Sequence, residues 1–227
     1  MEDLIAEQEK LFTELENFNS YAKVPPDSKS EKTIDYADDN RICLTLVYFL
    51  PEELRDIITK KIIQLLKETD KEQYYYLPES LHITINNVKI ISNPPYFNSE
   101  EILRLKSLND YFNNVNLEFK LQGLFMMSNG IAIKAFPNLT TNNFILDLRD
   151  KLEEIGVPDN KSYFNKDVII GNITLCRFHS EPNEEIKQLI KGMKNFNLGN
   201  LRIKNVSLIS TNLVCHPDKT KIYHNFK

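Results

Sequence analysis

The sequence has no long apolar run. None of its hydrophobic stretches reaches the roughly 18 consecutive apolar residues of a membrane-spanning helix, which excludes an integral membrane protein of the helical kind. The acidic start, Met1–Asp3, lacks the basic and apolar regions of a secretory signal peptide. We therefore expect a cytoplasmic protein with no membrane partner.

The chain has no excess of positive charge, and it has few cysteines. The net charge is −4, which argues against binding along a nucleic-acid duplex because such binding takes a basic stripe. A small nucleotide or an RNA end needs only a few cations and stays possible. The three cysteines, Cys43, Cys176 and Cys215, show no metal or disulfide spacing. We expect reduced thiols, no metal site and no cofactor.

Glycine is rare, with six among 227 residues. The chain has no phosphate-binding Walker loop, no dinucleotide-binding glycine pattern, no zinc spacing and no nucleophile elbow. The enzyme classes that depend on those motifs are therefore not indicated.

Residues 1–39 are predicted to form an N-terminal helix and a linker. Leu4, Leu11, Leu15 and Phe18 recur at helical spacing from about residue 2 to residue 21, and residues 25–32 are polar with two prolines, as in a loop. This helix either lies on the surface of the domain or is an arm that binds a partner. Residues 40–227 are predicted to form the main domain, as a monomer.

The main domain contains an internal repeat of about 90 residues. The apolar stripe Leu54, Ile58, Ile62 and Leu65 recurs as Phe144, Leu148, Leu152 and Ile155, and Asn116–Lys120 recurs as Asn200–Lys204. A repeat of this length is too long for a solenoid unit and indicates two pseudo-symmetric halves. The predicted fold class is α+β, with two pseudo-symmetric lobes whose antiparallel sheets face each other across a central cleft and whose helices lie outside.

Apolar and β-branched runs predict the individual elements. We expect a strand at Ile42–Phe49, and a hairpin of Leu117–Met126 with Ile131–Phe136 across an Asn-Gly turn. A helix is predicted from Ser99 to Phe112, and a single strand over Leu201–Leu213 that pairs with Lys221–Phe226.

Two strands in matching places of the repeat each carry one polar pair. Ser80–Ile85 holds His82 and Thr84, and Gly171–Arg177 holds Asn172 and Thr174. Residues two apart in a strand project from the same face, so the two pairs would meet in the cleft. A lone histidine on an apolar strand is usually a hydrogen-bonded core residue, and threonine is common in strands. The mirrored spacing favours a site over these alternatives.

These residues resemble the two-histidine phosphoesterase superfamily, which includes 2′–5′ RNA ligase-like proteins and cyclic phosphodiesterases. The resemblance rests on Leu81–Ile85, on the Thr-Leu-x-Arg of Thr174–Arg177, and on the closing stretch Val206–Ser210 with Tyr223. It implies that one histidine acts as a general base, that the other protonates the leaving ribose oxygen, and that the threonines hold phosphate oxygens, all without a metal. It also implies a nucleotide or RNA-end substrate.

This chain departs from the family at Asn172, where the resemblance implies the second histidine. An amide can donate or accept a hydrogen bond but cannot transfer a proton at neutral pH. Three functions stay open: a phosphodiesterase in which His82 transfers protons, a catalytically impaired protein that binds nucleotide or RNA ends, and an interaction protein that uses the N-terminal helix.

Other polar and aromatic side chains have two interpretations each. His224 is the best candidate to compensate for the lost histidine, but loop or edge positions are the favoured interpretation for His179, His216 and His224. Arg177 is either an anion ligand or an exposed strand-end arginine. Tyr74–Tyr76 could stack on a base or pack at the entry of a strand.

Overall fold

The structure, a computed structural model, describes residues 2–17 and 35–227. The predicted linker at residues 25–32, and Phe18 of the predicted helix, lie outside them. In the described part of the chain, the strands are β1 (Ile42–Phe49), β2 (Tyr74–Tyr75), β3 (His82–Ser92), β4 (Leu117–Met127), β5 (Gly130–Pro137), β6 (Gly171–Arg177), β7 (Asn197–Ile203), β8 (Val206–Thr211) and β9 (Lys221–Phe226).

The helices bracket these strands. They are α1 (Glu2–Asn17), α2 (Glu52–Ile58, continued by a π-helical turn at Thr59–Ile63 and by Gln64–Thr69), α3 (Ser99–Lys106), α4 (Asn109–Phe112), α5 (Leu139–Glu154) and α6 (Glu184–Gly192). Across residues 2–17 and 35–227, no helix combines the length and the apolar character needed to cross a bilayer.

Two antiparallel sheets organise the molecule. The first sheet has the strand order β3-β1-β8-β9 and the second has the order β2-β6-β5-β4-β7. Strands β3 and β6, which carry the two polar pairs, occupy corresponding places, each next to the first strand of its repeat. The predicted α+β class with two pseudo-symmetric lobes is confirmed.

The two halves of the sequence exchange strands. Strand β4 belongs to the first half but pairs in the second sheet, and β8 and β9 from the second half complete the first sheet. The single strand predicted over Leu201–Leu213 is therefore wrong. The chain leaves the second sheet at the polar pair Lys204-Asn205 and enters the first as β8. The repeated segments lie side by side, with Glu118 opposite Arg202.

Two helix predictions need correction. The π-helical turn in α2 adds a residue to one turn, so the buried face moves from the predicted Leu65, which is 40% exposed, to Leu66, which is fully buried. The helix predicted from Ser99 to Phe112 is interrupted after Lys106, where Ser107 and Leu108 form a turn.

The main apolar core lies between the sheets and the helices α2, α3, α5 and α6. It takes alternate residues from the central strands, such as Leu44 and Leu46 from β1 and Ile173 and Leu175 from β6. The other strand faces carry two smaller clusters. One joins Val47, Ile209 and Cys215, and the other joins Phe125, Ala132 and Phe136 to Phe12 of α1.

Helix α1 packs on the face of the second sheet that carries Asn172. The Phe12 ring lies 5.0 Å from the rings of Phe125 and Phe136. Lys134, which is opposite Asn172 in the ladder, is 3.3 Å from Glu9 and 5.3 Å from the centre of the Phe12 ring. Helix α1 is therefore a packed part of this lobe, and binding of a partner through it stays a prediction.

Candidate functional site

The sheets approach each other along β3 and β6. A methyl group at Gly171 would come within 3.2 Å of Ile83 Cδ1 and 3.1 Å of Phe119 Cε1, so only glycine fits there without a shift of its neighbours. Beside this contact lies a cavity of about 430 Å³. Its walls include all five residues that the sequence analysis selected: His82, Thr84, Asn172, Thr174 and Arg177.

His82 opens strand β3 at the cavity wall. Its Nδ1 atom is 2.7 Å from the carbonyl oxygen of Ser80, and its ring lies 6.3 Å from that of Phe49. A carbonyl oxygen only accepts hydrogen bonds, so Nδ1 carries a hydrogen and Nε2 is the nitrogen that can take a proton. The half-buried ring is thus held in one orientation and one tautomer.

Asn172 and Thr174 are joined to each other. The Asn172 Nδ2 atom donates to Thr174 Oγ1 over 3.1 Å, and Thr174 is 8% exposed. In this bond the Thr174 oxygen is the acceptor. The hydrogen of its hydroxyl group is therefore still available to donate a hydrogen bond to another group. The pair can offer hydrogen-bond donors to an anion but provides no proton carrier opposite His82.

Arg177 is held at the end of β6 by neutral partners. One of its terminal nitrogens donates to Asn129 Oδ1 over 2.9 Å, and its Nε donates to the Tyr76 hydroxyl over 3.3 Å. Burial raises the pKa of Tyr76, and the nearby guanidinium opposes that rise. These hydrogen bonds hold the Arg177 guanidinium in place on the cavity wall, where its positive charge can attract an anion.

The other three histidines do not line this cavity. His224 Nε2 is 2.7 Å from Asn109 Oδ1, His179 packs 4.9 Å from the Tyr36 ring, and the His216 Nδ1 accepts from the Asp218 backbone. The chain has four histidines, and all lie in described residues, so His82 is the one imidazole at this site. The geometry gives no support to His224 as a replacement.

The tyrosine run divides into packing and site residues. Tyr74 and Tyr75 form β2 and pair with β6, while the Tyr75 hydroxyl donates to the Asp70 carbonyl over 2.6 Å. Tyr76 is 3% exposed and lines the cavity beside Arg177.

Sequence reasoning missed the cysteine side of the cavity. Cys43 and Cys215 both line it, together with Thr211. Their approach depends on β8 lying beside β1, which no local pattern reveals. The polar run Ser210-Thr211-Asn212 at the end of an apolar strand is the signal that could have drawn attention to this segment.

Fold and site together define a class: a two-lobed α+β protein with paired polar strands around a cavity of about 430 Å³. Solved structures with this fold include TT0787 of Thermus thermophilus, with a TM-score of 0.56 and 17% identity over 82% of this chain and 96% of that one. LigT of E. coli, in complex with 3′-AMP, has a TM-score of 0.56 and 16% identity over 83% of this chain and 97% of its own.

Further solved structures agree. A phosphoesterase has a TM-score of 0.56 and 16% identity over 83% of this chain and 97% of its own, and LigT is also known in complex with ATP, NADP+ and phosphate. Neither the protein-family models nor the curated protein sequences gave a match. The likeness confirms the fold that the two-histidine phosphoesterase resemblance predicted.

Proposed function

We propose that this chain is a phosphodiesterase-like protein that acts on 2′,5′- or 2′,3′-cyclic phosphodiester bonds of RNA ends or small nucleotides. The observation that carries the proposal is the convergence of His82, Thr84, Asn172 and Thr174, from matched strands of two lobes, on one cavity. The two pairs are 90 residues apart in sequence but line the same cavity of about 430 Å³.

Each side chain has a role in this proposal. His82 transfers protons through Nε2, since Nδ1 is committed to the Ser80 carbonyl. Thr84, Asn172 and Thr174 donate hydrogen bonds to phosphate oxygens, and Arg177 supplies the positive charge that such oxygens favour. The proposal assigns proton transfer to side chains and uses no metal, so turnover should persist in EDTA.

The solved neighbours support a nucleotide or phosphate ligand. LigT is known with 3′-AMP, ATP, NADP+ and phosphate, and another neighbour is described as a phosphoesterase. Since their identity to this chain is at most 17%, they support the choice of substrate class to test rather than a particular substrate.

Turnover of a 2′,3′-cyclic mononucleotide and of a 2′–5′ dinucleotide tests the proposal. We expect His82→Ala to lower kcat/KM by about 10²–10⁴, which is the range for loss of one acid–base group. His224→Ala is the matched control because this ring lies outside the cavity, and it should leave turnover unchanged. Equal activity of the two variants would remove His82 from the mechanism.

A second function is favoured by one observation. Asn172 cannot carry a proton, and its amide is already bonded to Thr174, so the cavity could bind a nucleotide or RNA end without turning it over. Calorimetry with 3′-AMP separates the two functions. Binding that Thr174→Val weakens, with no turnover of either substrate, identifies a binding protein.

We also propose a cytoplasmic location, a monomeric state and a domain boundary near residue 39 for this protein.

A further inference from the structure

The charged side chains that line the cavity are all basic. Arg149, Lys161 and Arg177 belong to its walls, whereas no aspartate or glutamate among residues 2–17 and 35–227 does. The whole chain has 32 acidic and 28 basic residues, so the lining differs in sign from the protein as a whole. A cavity lined by one sign of charge concentrates ligands of the opposite sign. Three basic side chains are more than a single phosphate group requires.

The two arginines belong to opposite ends of strand β6. Arg177 is the last residue of the strand. Arg149, on helix α5, donates through a terminal nitrogen to the carbonyl of Lys166 over 3.4 Å, in the segment that precedes the strand. Six residue steps of strand cover about 20 Å. Arg149 and Arg177 therefore face different parts of the cavity.

The Tyr163 ring holds Arg149 in place. The guanidinium carbon lies 3.5 Å from the centre of this ring, and the Lys161 Nζ atom lies 5.8 Å from the same centre. The Tyr163 hydroxyl oxygen is 2.8 Å from Asp159 Oδ2 and 3.0 Å from Asn86 Oδ1, which anchors the ring. Stacking on an aromatic face orients a guanidinium and leaves its charge unneutralised.

No carboxylate in the described part of the chain forms an ion pair with Arg149. Asp159, which contacts the hydroxyl of Tyr163, is outside the cavity lining. The positive charge of Arg149 is thus available to a ligand in the cavity.

Strand β3 gives the separation between this group and the polar pairs. His82, Thr84 and Asn86 are at alternate positions of β3 and all line the cavity. Because a strand rises by about 3.3 Å per residue, the backbone of Asn86 lies about 13 Å from that of His82. The Asn86 side chain contacts Tyr163, so Arg149 is displaced along the cavity from the polar pairs.

We propose that Arg149 and Lys161 form a second phosphate subsite, and that the cavity takes a nucleotide with phosphate groups on both its 3′ and 5′ sides. The assignment of the 3′ phosphate to His82 and Asn172 rests on the proposed function. The 5′ phosphate then lies against the guanidinium and the ammonium group, which are the donors that phosphate oxygens favour. In an RNA strand this second group is the phosphate that joins the last nucleotide to the one before it.

Calorimetry with two ligands that differ by one phosphate tests the subsite. We expect adenosine 3′,5′-bisphosphate to bind about tenfold more tightly than 3′-AMP, since a hydrogen bond between charged groups contributes about this factor. Arg149→Met and Lys161→Met should each bring the ratio of the two affinities close to one. Lys151→Met is the matched control, because Lys151 is on the same helix, pairs with Glu154 over 2.7 Å and is outside the cavity lining. It should keep the wild-type ratio.

The dinucleotide ApAp, which carries a 3′-phosphate, identifies the source of the second phosphate. Its internal phosphate is a diester, as in an RNA strand. Tighter binding of ApAp than of 3′-AMP, lost in the two cavity variants, assigns the subsite to an RNA end. A gain for the bisphosphate alone assigns it to a mononucleotide.

Equal affinities of the wild type for all three ligands would overturn the subsite, even if cyclic nucleotides are turned over. So would an equal loss of 3′-AMP and bisphosphate affinity in Arg149→Met and Lys161→Met, because these residues would then act on the cavity as a whole. If both variants lose the gain and no phosphodiester is turned over, the subsite stands and the proposed phosphodiesterase fails.

Discussion

Asn172 marks the difference between this cavity and the one that the family resemblance implies. Its amide is bonded to Thr174 over 3.1 Å and faces the cavity from the strand opposite His82. A side chain at this position can hold an oxygen but cannot move a proton. The residue at position 172 therefore determines whether this strand can supply a second proton carrier.

Restoring an imidazole at this position should restore a proton carrier. We expect Asn172→His to raise turnover of a cyclic phosphodiester by about 10²–10⁴, measured as kcat/KM at neutral pH. The matched control is Asn225→His, which places the same ring on an exposed part of β9. A gain in both variants, or in neither, would contradict a site built from β3 and β6.

At the scale of elements, helix α1 is packed firmly onto the second sheet. Its fully buried Phe12 contacts Phe125 and Phe136, and its buried Gln8 donates to the carbonyls of Pro137 and Ile169 over 3.0 and 3.1 Å. These contacts join the helix to strand β5 and to the segment that leads into β6.

Removal of the Phe12 ring should therefore be costly. We expect Phe12→Ala to lower the free energy of unfolding by about 3–5 kcal/mol, the usual cost of deleting a buried aromatic side chain, as measured by urea denaturation. Ile5→Ala is the control on the same helix, since Ile5 is 43% exposed, and should change stability by less than about 0.5 kcal/mol. Similar losses in both variants would mean that α1 is stabilised by helix formation alone.

The elements also show what the sequence can predict. Strand β1 was predicted with its observed bounds, and the strands of the β4–β5 hairpin to within one residue at each end, because alternation and an Asn-Gly turn are local signals. The assignment of β7 and β8 to different sheets, and the place of Cys215 on the cavity wall, depend on pairing between distant segments. The cavity-facing pairs were found because the repeat itself displays them.

At the scale of the whole molecule, the exchange of strands makes the two lobes depend on each other. Strand β4 lies between β5 and β7, and β8 lies between β1 and β9, each contributed by the other half of the sequence. Neither half contains a complete sheet, so a boundary between the lobes cannot be drawn at one point in the chain.

The intact protein should consequently unfold in one cooperative step. We expect fragments 35–127 and 128–227, prepared separately, to lack the dispersed NMR spectrum of a folded domain, because each loses a central strand of one sheet. The full chain should give coincident urea transitions by fluorescence and circular dichroism. A well-dispersed spectrum from either fragment alone would show that the lobes fold independently.

Successive side chains of strand β6 alternate between the apolar core and the cavity. Ile173 and Leu175 are fully buried in the main core, whereas Asn172 and Thr174 face the cavity. An exchange between histidine and asparagine at position 172 should therefore leave intact the packing that holds the lobes together. Solved structures with the same fold share only 14–17% identity with this chain, so this architecture persists through wide change in sequence.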